Sequence, residues 1–215
     1  MGGKRVVTPL LRRILDWDVK TTNNVLAAII KKTGPMRKYS TTLSAVEMSG
    51  NGIVWLASCV VIVFMSSDLY TRHLVVNLLI ALIADLIVVA VVKATTRRRR
   101  PAPLTGDPFA IQKIDQFSFP SGHATRATMV CTLFAIQYDL SMLLEVPLYT
   151  WFMSVVASRL LLRRHYILDI VSGIMIGWLT ALMLVITGAW ISVDSANYLV
   201  AYLLDETYTG ASYDV

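Results

Sequence analysis

The chain has 215 residues, 55% of them hydrophobic and 16% charged, with a mean hydropathy of +0.60. That composition is too apolar for an ordinary soluble domain and points to an integral membrane protein of one domain. In such a protein the net charge of +6 speaks first of anionic headgroups and loop topology, so no nucleic-acid partner is inferred.

Lys4 and Arg5 are followed by Arg12, Arg13, Asp16 and Asp18, which breaks any signal-peptide pattern. Met1-Gly2-Gly3 has Val6 where a myristoylation signal wants Ser or Thr. Residues 8–32 read as a helix with Leu10, Leu11, Ile14, Leu15 and Trp17 between charged positions. It is too charged to span, so it lies on the membrane surface or packs on the protein body. Gly34-Pro35 ends it. These elements make an N-terminal basic region, 1–42.

Five apolar segments follow in a membrane region, 43–187: Gly52 to Ser66 with an inward extension Leu43 to Met48, His73 to Val92, Ala124 to Leu140, Met142 to Leu162, and Ile167 to Thr187. The second has the length that a hydrocarbon core of about 30 Å requires. An acidic tail, 188–215, has one apolar stretch, Tyr198 to Leu204, which can touch the interface or add a sixth span. The expectation is an all-helical transmembrane bundle of five spans. Cys59 and Cys131 both lie in apolar runs and make neither a disulfide framework nor a metal site.

If the five segments alternate, every one of the 20 Lys and Arg except Arg72 falls on one side. The positive-inside rule makes that side cytoplasmic. The same alternation brings three polar clusters to one face. His165 and Asp169, four apart, share a helix face, so the carboxylate can accept the ring N–H of His165 and leave the other nitrogen free to attack. Ser121-Gly122 at a helix start is an anion site, with His123 beside it as a proton donor. Lys93 and Arg100 suit phosphate oxygens, whereas Arg97, Arg98 and Arg99 read as a topology anchor. Each cluster alone has a plain structural reading. Asp85, inside the second span, is ionisable at membrane depth and is expected to pair with a polar group, Arg126 being the nearest candidate.

Taken together, Lys93-x6-Arg100-Pro101, Pro120-Ser121-Gly122-His123 and Ser158-Arg159-x5-His165-x3-Asp169 resemble the type-2 phosphatidic acid phosphatase family, within the acid phosphatase and vanadium haloperoxidase superfamily. The runs 97–102, 117–127 and 49–55 look like its polyisoprenoid diphosphate phosphatase branch. The resemblance implies an active membrane enzyme of that superfamily's helical type. His165 would form a phosphohistidine, Asp169 would orient it, and His123 would protonate the leaving oxygen. Lys93, Arg100, Ser121, Gly122 and Arg159 would hold the phosphate, with no metal and no cofactor. Presqualene, farnesyl and geranylgeranyl diphosphates lead as substrates, ahead of phosphatidic acid. The partners are membrane lipids, and a homo-oligomer is compatible with this. The implied address is the endoplasmic reticulum membrane and nuclear envelope, with the site on the cytoplasmic face. Three rivals stand beside it: a phospholipid phosphatase with a luminal site, a scaffold without turnover, and a basic lipid-binding anchor.

Overall fold

The computed structural model describes residues 8–101 and 117–204. The acidic positions of the tail from Asp205 onward lie outside the described residues. Of the described residues 82% are helical, and no strand forms among them. The elements are α1 (Pro9–Thr33), a 3-10 turn (Met36–Tyr39), α2 (Ser40–Ser49), α3 (Gly52–Met65), α4 (Leu69–Thr96), α5 (Gly122–Gln137), α6 (Met142–Leu161), α7 (Ile167–Ile186) and α8 (Val193–Leu204).

Local chemistry sets several of these limits. Pro9 opens α1, where its missing N–H costs nothing. Asn51 caps α3 by accepting the Ile53 N–H at 2.8 Å, and Asp68 caps α4 by accepting the Thr71 N–H at 2.7 Å. α2 and α3 meet at a 51° bend, so the expected inward extension is a separate helix.

Helices occupy all five positions expected for spans. Among the described residues α4 and α7 are each long and apolar enough to cross a membrane, and the bent α2–α3 pair makes a third span at most. α5 has 16 residues and contains Arg126, and α6 contains Glu145, Pro147 and Arg159. Neither reaches that measure alone, α5 because it is short and α6 because its polar residues lower its hydropathy; within the bundle Arg126 and Arg159 are buried in ion pairs.

The tightest contact is α5 against α7. A methyl group on Gly177 would stand 2.1 Å from the Thr125 carbonyl oxygen, and one on Gly173 would stand 2.8 Å from that of Ser121. Two glycines four apart thus let the backbones touch, which is how helices associate in a solvent as apolar as their side chains. At the other end of the bundle α8 packs on α4. Ala196 and Val200 join a core with Val75, Leu82, Met129 and Leu184, and Asn77 exchanges hydrogen bonds with the backbone of Ile191 at 2.8 and 3.1 Å. With 12 residues, α8 is too short to span.

Candidate active site

Four helix ends converge. α4 ends at Lys93 to Thr96, α5 begins at Gly122, α6 ends just after Arg159, and α7 begins just after His165. All eight site residues named from sequence are at this end of the bundle. Lys93, Ser121, Arg159, His165 and Asp169 are buried, an environment that strengthens every charge interaction inside it.

His165 sits in the turn between α6 and α7. Its Nδ1 is 2.7 Å from the Ser118 carbonyl oxygen. A carbonyl only accepts, so Nδ1 carries the proton and Nε2 keeps its lone pair. Nε2 is 3.5 Å from Nη1 of Arg100. Burial first, then the positive charges of Arg159, Arg100 and Lys93, holds the imidazole pKa well below its ordinary 6.5.

The expected hydrogen bond between His165 and Asp169 does not form, because Asp169 Oδ2 stands 3.8 Å from Nδ1. Both carboxylate oxygens are engaged elsewhere. Oδ1 accepts from Arg98 Nη1 at 2.6 Å, and Oδ2 accepts the Tyr166 N–H at 2.9 Å. Arg98 is likewise more than a topology anchor. Its Nη2 binds Asp18 of α1 at 2.6 Å, and its guanidinium lies 4.3 Å from the centre of the Tyr166 ring.

Ser121 is the N-cap position of α5, and its N–H donates to the Asp169 carbonyl at 3.0 Å. Its Oγ is buried with no hydrogen-bond partner among the described residues, and the same holds for Nε2 of His123. Buried polar atoms of this kind need a reason, and a phosphoryl group bound at the start of α5 would satisfy the hydroxyl and the imidazole together with the free helix amides. Gly122 is the first residue of α5. Arg159, Arg126, His165 and Lys93 all act electrostatically on His123, so the clusters that are separate in sequence share one volume. The ring of His123 is held beside Gly50 and Val155.

Arg159 pairs with Glu47 of α2, which Arg164 also approaches at 3.4 Å. Asp85 pairs with Arg126 at 2.8 Å, as expected, and Arg126 also donates to the Gly50 carbonyl at 3.0 Å. Sequence reasoning missed Asp18, Glu47, Arg98 and the Ser118 carbonyl as members of this network. The Gly173-x3-Gly177 pattern was the one readable signal for the α5–α7 contact.

Comparison with known proteins fits this geometry. Residues 74–192, more than half of the chain, match the model of the PAP2 superfamily, a span within which all eight named site residues lie. "Probable lipid phosphate phosphatase beta" of Arabidopsis thaliana is 34% identical over 138 residues, covering 52% of this chain and 64% of that protein. The match therefore spans less than two thirds of the relative's length. The crystal structure of Aquifex aeolicus LpxE superposes with a TM-score of 0.54 at 18% identity, covering 74% of this chain and 92% of that one, and so shares its fold. The family read from the three motifs is thus the one that residues 74–192 match, and the chain belongs to the PAP2 superfamily.

Proposed function

We propose that the chain is a membrane-embedded lipid phosphate phosphatase that acts on isoprenoid diphosphates and monophosphates, and less efficiently on phosphatidic acid. The observation that carries this reading is His165, with Nδ1 committed to the Ser118 carbonyl and Nε2 directed toward Arg100 in a buried basic cluster. Nε2 attacks the terminal phosphorus and forms an N–P bond as the P–O bond to the leaving group breaks. His123, protonated once the anionic phosphate is bound beside it, gives its proton to the leaving oxygen. It then takes a proton from water, whose oxygen displaces His165 and releases phosphate. Lys93, Arg100, Arg159, the Ser121 hydroxyl and the Gly122 amide hold the phosphoryl oxygens as negative charge builds. Those fixed cations do the work that a divalent ion would otherwise do, so the reaction runs without metal.

A site at helix ends, level with headgroups, leaves the prenyl chain in the bilayer. The basic loops favour a cytoplasmic orientation, in the endoplasmic reticulum membrane or nuclear envelope. The test is phosphate release by the purified chain in EDTA, from farnesyl and geranylgeranyl diphosphate and from phosphatidic acid. Prenyl diphosphates should be preferred, and His165→Ala should abolish release from all three. Turnover by His165→Ala at the parent rate would sink the mechanism. Preference for phosphatidic acid would favour a broader phospholipid phosphatase.

A further inference from the structure

Helix α1 lies outside the matched residues 74–192, yet it reaches the loop that carries His165. Asp18 and Thr22, four apart and both buried, face the start of α7. Thr22 Oγ1 accepts the Ile167 N–H at 3.1 Å, and Asp18 Oδ1 accepts the Leu168 N–H at 3.0 Å. Asp18 Oδ2 holds Arg98, and Arg98 holds Asp169. The first turn of any helix has amides without partners inside it. Here two are satisfied from another helix and a third, that of Tyr166, by Asp169. The three residues that follow His165 are therefore each fixed through their own N–H.

We propose that Asp18, Thr22 and Arg98 are positioning residues, and that through them α1 clamps the His165 loop against the phosphate-binding cations. The proposal rests on the reading of His165 as nucleophile. Arg98 has a second effect within the clamp. It binds the Asp169 carboxylate, which lies 3.8 Å from His165 Nδ1. The groups facing His165 are Arg159 from α6, Lys93 and Arg100 from α4 and the segment after it, His123 from α5 and Asp169 from α7. Without Arg98, the Asp169 charge stabilises the imidazolium more strongly.

The full chain is assayed in detergent micelles with farnesyl diphosphate. Asp18→Asn places an amide against Arg98 and should lower kcat by about tenfold or more while KM stays within about twofold. Thr22→Val should lower kcat by less, and Thr22→Ser, which keeps the hydroxyl, should restore it. Arg98→Gln should move the acid limb of kcat/KM to higher pH. Amide hydrogen exchange over Ile167 and Leu168, measured without substrate, should quicken in Asp18→Asn and Thr22→Val. If Asp18→Asn fails to fold, the isosteric Thr22→Val and Thr22→Ser pair carries the comparison. An unchanged kcat in the folded variants, a loss confined to KM, or a fixed acid limb in Arg98→Gln overturns the clamp. A parent chain that releases no phosphate overturns the nucleophile reading instead.

Discussion

A histidine whose Nδ1 faces a carbonyl oxygen can make that hydrogen bond only by donating it. Ser118 thereby fixes the tautomer of His165, and the pKa lowered by burial and by three nearby cations keeps the ring neutral. In the proposed mechanism neutral imidazole is the nucleophile, so a lowered pKa preserves activity as pH falls. The acid limb of kcat/KM set by His165 should lie below pH 6.5, and a limb at or above that value would show that the ring is solvated in the working enzyme. The buried pair Asp85–Arg126 makes a different kind of prediction. Asp85→Asn leaves a buried guanidinium without its carboxylate and should cost about 3 kcal/mol of stability. Pairing Asp85→Leu with Arg126→Met should recover most of that loss in thermal unfolding in detergent. A double variant no better than the single one would mean that the bond from Arg126 to the Gly50 carbonyl matters more than the ion pair.

Helices carry these residues, and their mutual distance is set where α5 crosses α7. Gly177→Ala would drive a methyl group into the Thr125 carbonyl and Gly173→Ala would press on that of Ser121. Each should lower stability by about 2 kcal/mol, the first more than the second, because 2.1 Å demands a larger backbone shift than 2.8 Å. A parent-like melting temperature for Gly177→Ala would refute the contact. The helices themselves were legible in sequence. The expected 8–32 is observed as Pro9–Thr33, and the expected Ile167 to Thr187 as Ile167–Ile186, because apolar runs and their terminating residues are local signals. Asp85 with Arg126 was legible too, since an ion at membrane depth demands a partner. Arg98 was not. Four identical residues in a row do not reveal which of them turn inward, and that depends on the chain leaving α4 through Arg97 at φ 51°. Glu47 and Asp18 were hidden for a related reason, as their partners Arg159 and Arg98 lie 112 and 80 residues away. The Ser118 contact is made by a backbone oxygen, which every residue has and no motif records.

Across the whole molecule the two ends of the bundle differ. One end gathers the site and α1, and the other is closed by α8 on α4. If the chain alternates across the bilayer, Arg37→Cys and Ser67→Cys, both at exposed positions, should react with a membrane-impermeant maleimide from opposite sides of sealed vesicles. The native Cys59 and Cys131 are buried and should stay silent. Labelling of both introduced thiols from the same side would reject the alternation. The glycine contact also bears on the route that the proposed lipid substrate would take. Where a single methyl group has no room between α5 and α7, a prenyl or acyl tail has none. That seam is shut to lateral traffic, and a substrate whose tail stays among the lipids must bring its headgroup to His165 through a different opening between the helices.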